Sequence, residues 1–425
     1  MEEENKIISQ LEKHLDEIAN EAINFLVEMI KIPTENPPGR NYKDFAELFE
    51  KKLIELGYIS KIVKVPQELL PKLVKFGEGD RYIIYGSKGK GRLKITFVGH
   101  YDVVPAGEGW KTDPFNPVIK DGYIYGRGAS DMKSGLAVAL FSVKLLEKIY
   151  PELLEKVTIT QVVVPDEETV GNENAGAFFA VESGIITKQN TDFAIFTEPL
   201  GAENICFGHR GALLLKIKVY GEKSHGALAY LGKDAIAFTC KLIEKIRNYM
   251  NEKSESLISK YNIIPEGAKR PGYVIGTLQC GTWVNTVADK CEFFIFRRLI
   301  PEEKLSDVRA ELTELITSMA KREGFNVEIE ELYATESIIE DVNNKYYEAF
   351  RKAVKVVIGK EPNMVLSPGT FDMRFLHTKG VSSLNYGPGI LEEAHKTDEK
   401  CSIDDIKKAL VVMALGIYNM IENDK

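Results

Sequence analysis

"KVTITQVVVPDEETVG", residues 156–171, joins an apolar, β-branched run to a proline and then to three consecutive carboxylates, Asp166, Glu167 and Glu168. Valine, isoleucine and threonine favour a pleated, buried environment, so 156–164 reads as a strand that stops at Pro165. Three like charges at a strand end repel one another, and the arrangement calls for a compensating positive charge. The layout recurs along the chain. "LKITFVG" (93–99) runs into His100, "DFAIFT" (192–197) runs into Glu198, and "VSSLNYGPG" (381–389) precedes His395. Between residues 99 and 156 lies "MKSGLAVALFSVKLLEKI" (132–149), patterned as a helix. Strands alternating with helices predict an α/β domain with a mixed, largely parallel sheet flanked by helices. In such sheets, ligands collect at the carboxyl ends of the strands.

Upstream, residues 5–30 carry apolar side chains at helical spacing and stop at "IPTENPPG", where Pro33, Pro37 and Pro38 forbid continuation. A second helix, 42–56, ends at Gly57. The middle of the chain reads differently. "GALLLKIKVYG" (211–221), "KDAIAFTCKLIEKIRNYM" (233–250), "GYVIGTLQCG" (272–281), "KCEFFIFRRLI" (290–300), "PEEKLSDVRAELTELITSMAKREG" (301–324) and "FNVEIEELYA" (325–334) follow the order β-α-β-β-α-β. That order predicts a ferredoxin-like α+β domain. The expected division is an α/β domain over 1–205, an inserted domain over 206–334, and the remainder of the α/β domain over 335–425.

At 425 residues the chain exceeds what one core usually serves, which agrees with two domains. Its 44% hydrophobic and 28% charged content is that of a soluble globular protein. The net charge of −8, with no basic cluster interleaved with aromatics, argues against nucleic acid or an anionic membrane as partner. No apolar run reaches membrane-spanning length, and "MEEENKII" lacks the layout of a signal peptide, so a cytoplasmic location is expected. The cysteines Cys206, Cys240, Cys280, Cys291 and Cys401 are odd in number and scattered, with no CxxC, and are expected to be reduced. Abundant Lys, Glu and Ile with scarce Gln lean towards a heat-adapted source.

The residues that could carry chemistry each have an ordinary alternative. His100, in "VGHYDVVPAG", follows a strand, and Asp102 stands where a carboxylate could hold the far imidazole nitrogen; the alternative is a surface histidine in a turn. Asp131, in "YGRGASDMKSG", sits among glycines that let backbone approach a site closely, or else it caps the following helix. Glu167 and Glu168 are either a solvated turn or a division of labour, one binding a metal and the other taking a proton from metal-activated water. Glu198 in "FTEPLG" is a ligand or a turn cap, and His395 in "GPGILEEAHKTDEK" a ligand or a loop histidine. His14 reads as a surface residue, His377 as packed, His209 as structural. Two imidazoles and several carboxylates without cysteine suit Zn, Co or Mn and exclude iron–sulfur chemistry. One bridging carboxylate, with one His and one Glu on each ion, would make a two-metal hydrolytic centre.

"GHYDVVPAG", "DPFNPVIKDGYIYGRGASDMKSG", "PDEETVG", "TEPLG", "KSHGALAYLGKDAI" and "GPGILEEAHKTDE" occur in one order and spacing. Together they resemble the di-zinc metallopeptidase/deacylase family that includes acetylornithine deacetylase, succinyl-diaminopimelate desuccinylase, aminoacylase and glutamate carboxypeptidase. The resemblance spans nearly the whole chain. It implies a zinc-exopeptidase-like fold with an inserted lid and dimerisation domain, in a homodimer. It implies two Zn²⁺, with Co²⁺ or Mn²⁺ as substitutes: one held by His100, Asp131 and Glu198, the other by Asp131, Glu168 and His395. Glu167 is then the base, Asp102 supports His100, and His225, in "KSHG", reaches a partner subunit's site to stabilise an oxyanion. Asn285, Arg298, Gly369, Thr370, Gly387 and Gly389 correspond to substrate contacts, and the Asp131–Met132 peptide to a cis bond. Phe296 stands where relatives usually carry Asp, which leaves Arg297 and Arg298 as rivals for the substrate arginine.

The implied reaction is removal of an acyl group from an N-acyl amino acid by metal-activated hydroxide. A metallo-carboxypeptidase or dipeptidase acting on short peptides would use the same residues. A non-catalytic binding protein of this fold would be expected to lack a ligand or the base, and here every position is filled.

Overall fold

The computed structural model describes residues 2–75, 77–169 and 171–424, the side chains of 2–5 excepted. The chain divides into two compact units. The first comprises Met1–Gly208, Glu340–Val365 and Phe371–Lys425; the second comprises His209–Ile339 and Leu366–Thr370. The second unit therefore starts three residues later than the expected 206 and ends five later than 334, and it takes in a short segment from further along the chain.

In the first unit the strands lie in the order Ile59–Lys64, Tyr82–Lys88, Val157–Val164, Leu93–His100, Phe193–Phe196, Ser383–Asn385, Asn204–His209. The centre is parallel and the flanks are antiparallel. Both Leu93–His100 and Val157–Val164 are buried along nearly their whole length, as parallel strands covered on both faces must be. Helices Glu2–Ile30, Lys133–Ile149 and Ile403–Glu422 pack on one another. Lys133, itself buried, donates Nζ to the carbonyls of Met29 and Ile32 at 3.0 Å each, which satisfies the open end of the first helix.

Register positions the site. His100 pairs with Val164, and Val98 with Phe196, so three parallel strands end at one edge of the sheet. The residues just beyond those ends are His100 itself, Asp166 to Glu168, and Glu198. A hairpin of Val118–Lys120 and Tyr123–Tyr125, joined by Lys400–Ser402, forms a small separate sheet that periodicity did not disclose. Its strands are three residues long, but the turn between them is Asp121-Gly122, both at positive φ, a strong hairpin signal.

The second unit has strand Gly211–Tyr220, helix Ala235–Ser256, strand Lys290–Leu299, helix Leu305–Glu323 and strand Asn326–Thr335. The expected strand over 272–281 is broken into Gly272–Val274 and Leu278–Cys280, both paired to Lys290–Leu299. Spatially the order is fourth, first, third, second, the topology of a ferredoxin-like unit. Leu213, Leu215, Ile217, Phe293 and Ile295 alternate onto one face of the sheet and pack with Phe238, Leu242, Ile246, Leu312 and Ile316 of the two helices.

One expectation fails here. Cys280 and Cys291 form a disulfide. Antiparallel pairing sets them directly opposite one another, a proximity that a spacing of eleven residues does not reveal. Cys206, Cys240 and Cys401 take part in no disulfide among the described residues.

Candidate metal centre

Each chemical side chain at the sheet edge is held by its main chain or by a buried partner. His100 is fully buried, and its Nδ1 lies 2.9 Å from the main-chain carbonyl of Asp102. A carbonyl can only accept, so Nδ1 carries the proton and Nε2 is left as a ligand atom. Asp102 thus lies beside the far imidazole nitrogen with its carbonyl at 2.9 Å and a carboxylate oxygen at 3.5 Å. The Asp102 carboxylate also accepts the main-chain N–H of Glu167 at 3.3 Å and of Glu168 at 3.1 Å. It clamps the turn that carries the two glutamates.

A second carboxylate does the same for Asp131. Glu399, fully buried, accepts the N–H groups of Gly128, Ser130 and Asp131 at 3.1, 2.8 and 3.0 Å, and Arg127 Nη1 at 2.7 Å. Burial lifts its pKa to about 7, against the pull of these donors. Asp131 does not cap the following helix, which begins at Lys133 behind Met132 without a side-chain cap. The Asp131–Met132 peptide is cis. Glu198 is clamped by Asn385, whose Oδ1 accepts its N–H at 2.7 Å and whose Nδ2 donates to its carbonyl at 3.2 Å.

The donor atoms then converge. His100 Nε2 lies 3.3 Å from Asp131 Oδ1 and 3.6 Å from Glu198 Oε2. His395 Nε2 lies 3.5 Å from Asp131 Oδ2 and 2.8 Å from Glu168 Oε2. Two trios result, His100–Asp131–Glu198 and Asp131–Glu168–His395, and Asp131 faces one with each oxygen. A tetrahedral ion with bonds of ~2.0–2.1 Å spaces its donors by roughly 3.3–3.4 Å, so the longer three separations suit direct ligation. The 2.8 Å between His395 and Glu168 is a hydrogen bond, and it raises His395 to about 9.

Two further observations test whether a cation fits. His100 Nε2 is buried with no hydrogen-bond partner among the described residues, a costly state for a polar atom. Burial, together with mutual repulsion, raises Glu167 well above the usual carboxylate range, raises Glu168, and lifts Glu198 to about 7. Hard oxygen and imidazole donors around a shared carboxylate, short of positive charge, are what a pair of divalent ions needs. Glu167 belongs to neither trio, yet its Oε2 is 3.9 Å from His100 Nε2.

The other expected residues fall in two groups. Gly387 and Gly389 are buried behind the ligand loops. A Cβ on Gly387 would meet the Thr197 carbonyl oxygen at 2.3 Å, and one on Gly389 the Ser130 hydroxyl at 2.5 Å, so both glycines serve close backbone approach. His225, Asn285, Arg298, Gly369 and Thr370 belong to the second unit. There, His225 Nδ1 accepts the N–H of Ala227 at 3.1 Å, which leaves the proton on Nε2 of an exposed ring. Asn285 is brought beside it: its carbonyl accepts the Gly226 N–H at 2.7 Å. Arg297 is buried and paired with Glu303 at 2.5 Å, whereas half-buried Arg298 stacks on Phe296 at 4.3 Å. His209 is buried, with Nδ1 donating to the Arg210 carbonyl at 2.8 Å. His377, expected to be packed, is half exposed and bonded to Glu340 at 2.8 Å.

Sequence reasoning missed Glu399, Asn385 and Asp372. The last is buried, with Oδ1 on Asn174 at 3.0 Å, and burial pushes it up to about 6. Neither Asn385, at the end of the strand Ser383–Asn385, nor Glu399, among the charges of "HKTDEK", stood out in the sequence.

Fold and site together define an α/β chain with two trios of candidate metal ligands gathered at the carboxyl ends of parallel strands. The family model described as Peptidase family M20/M25/M40 matches residues 96–419, and the chain belongs to that family. It is 26% identical over 343 residues to a succinyl-diaminopimelate desuccinylase of a Nitratiruptor species, covering 80% of this chain and 84% of that one. Its fold is shared with a dipeptidase from Saccharomyces cerevisiae (TM-score 0.76, 16% identity, 98% of this chain and 99% of that one). It is shared equally with an M20 family metallo-carboxypeptidase from Sulfolobus solfataricus (TM-score 0.74, 22% identity, 95% and 99%).

Proposed function

We propose that the chain is a two-metal amide hydrolase that removes the acyl group of a small N-acyl amino acid, of the kind its desuccinylase relative takes. The observation that carries this reading is the pair of trios sharing Asp131, with Glu167 beside them and in neither. Two divalent ions, zinc or in its place cobalt or manganese, would be held by His100, Asp131 and Glu198 and by Asp131, Glu168 and His395, and would polarise the carbonyl and lower the pKa of water.

The protein's own part is proton handling and orientation. Glu167, raised by burial and by the charge of Glu198, is suited to accept a proton from the attacking water and return it to the departing nitrogen. Asp102 holds the Glu167 and Glu168 main chain still while this happens. The Nε2–H of His225 is proposed as the donor to the developing oxyanion. Arg298, Asn285, Gly369 and Thr370 are proposed as contacts to the substrate's carboxylate end. A homodimer is proposed because the second unit exposes Tyr230, Leu231, Trp283 and Val284, the last 97% accessible. No helix among the described residues is long and apolar enough to cross a membrane. A cytoplasmic location is proposed with it; disulfides persist there chiefly in heat-adapted organisms, which the composition favours.

Peptide hydrolysis is the second reading, supported by folds shared with a dipeptidase and a carboxypeptidase. N-succinyl and N-acetyl amino acids, assayed against dipeptides, separate the two. Glu167→Gln is expected to lower kcat by roughly 10²–10⁴-fold with metal content unchanged. Near-normal turnover in that variant defeats the assignment of the base.

A further inference from the structure

Of the three adjacent carboxylates, only Glu167 and Glu168 turn to the metal centre. Asp166 adopts a left-handed backbone, φ 63°, and its side chain is buried on the other side of the turn among positive and neutral donors. Arg81 Nε approaches its two oxygens at 2.9 and 2.8 Å, Asn36 Nδ2 donates at 2.9 Å, and the Tyr42 hydroxyl lies at 3.3 Å. The compensating charge that the sequence called for is thus supplied in part by the chain itself.

The Arg81 guanidinium is fully buried in a cradle built for it. Nη1 donates to the carbonyls of Glu78 and Gly79 at 2.7 and 3.1 Å, Nη2 to that of Pro38 at 3.1 Å, and the group stacks over Tyr42 at 5.0 Å. A Cβ on either Gly39 or Gly77 would come within 2.6 Å of a guanidinium nitrogen. A planar fork satisfied on three edges is specific to arginine, and lysine cannot reproduce it.

Asn36 links this cradle to the site. Its one amide nitrogen donates to Asp166 and, at 3.0 Å, to Asp102, the carboxylate that clamps Glu167 and Glu168. The carbonyl of Asp166 is held from the other side by Thr169 Oγ1 at 3.1 Å and Asn174 Nδ2 at 3.3 Å. We infer that Arg81, acting through Asp166, is a positioning residue that sets the attitude of the turn bearing Glu167 and Glu168. It lies upstream of the region matched by the family model. Without its fork, two buried like charges, Asp166 and Asp102, face one another across a single amide, and the turn between them must shift.

The inference rests on the roles proposed for Glu167 and Glu168, so Glu167→Gln runs beside the test. Arg81→Lys and Asp166→Asn are prepared as full-length, zinc-loaded protein. Steady-state kinetics, zinc affinity by chelator competition and unfolding of the metal-free form are measured, with kcat expressed per folded molecule. Both variants are expected to lose roughly 10–100-fold in kcat with KM little changed, and zinc affinity is expected to fall with kcat. Asp166→Asn preserves the shape of the turn and serves if Arg81→Lys does not fold. Wild-type kcat per folded molecule together with wild-type zinc affinity, in either folded variant, overturns the inference. Turnover surviving in Glu167→Gln would instead remove the reading of the site beneath it.

Discussion

The trio His100–Asp131–Glu198 is buried on every member, whereas in Asp131–Glu168–His395 the histidine side chain is 54% exposed. His100 ends a central strand, its tautomer is set by a main-chain carbonyl, and its Nε2 is without a hydrogen-bond partner among the described residues. His395 sits on a loop at φ 62° and already bonds Glu168. The first half is preorganised and costly without a cation; the second can satisfy itself with a proton and adjust. A rigid ligand set binds more tightly because less must be ordered on binding. Two ions that share one aspartate need not, therefore, be held equally.

The largest effect expected from this asymmetry is on stepwise metal loss. His100→Ala should empty its half and lower kcat by roughly 10²–10⁴-fold, since a metal ion supplies several kcal/mol of transition-state stabilisation. His395→Ala should retain the ion of the buried half and the greater residual activity. Metal content by mass spectrometry and kcat decide the order; the reverse order breaks the comparison. Next comes Glu399→Gln, which weakens the clamp on the shared Asp131. It should lower the affinity of both halves together by roughly 10–100-fold. A loss confined to one half would mean that Glu399 does not hold the bridge.

The smallest effect is of pH. The hydrogen bond from Glu168 raises His395 to about 9, so this half binds its cation in competition with a proton. Its affinity should rise between pH 7 and 9, by at most about tenfold per pH unit for one proton released. For the metal-free protein the sign is opposite: the raised pKa of His395 stabilises it fully below ~6.5, and that contribution is lost as pH rises through about 9. Calorimetric titration with zinc in buffers of different ionisation enthalpy measures the protons released by each half.

Much of the site was legible because it obeys local rules. A β-branched run followed by an acid or imidazole marks a strand end, and four such junctions pointed to His100, Glu168, Glu198 and His395 before any geometry. The β-α-β-β-α-β order of the second unit was legible for the same reason, since alternation and helical spacing each act over a few residues. What was missed depends on partners distant in the chain. Arg81 meets Asp166 across 85 residues and Glu399 meets Asp131 across 268. Asp102 was read as a partner for His100, and the fold gave its carboxylate two main-chain amides as well. Cys280 and Cys291 became partners through strand register.

By itself, then, the amino-acid order determined the strands, the helices and the inventory of donors, because propensity, periodicity and punctuation are properties of neighbouring residues. Only the tertiary structure decided which carboxylates converge in the candidate metal trios and which hold backbone. That choice follows from burial: an acid removed from water must find a donor, and which donor it finds depends on the residues folding has brought to its side.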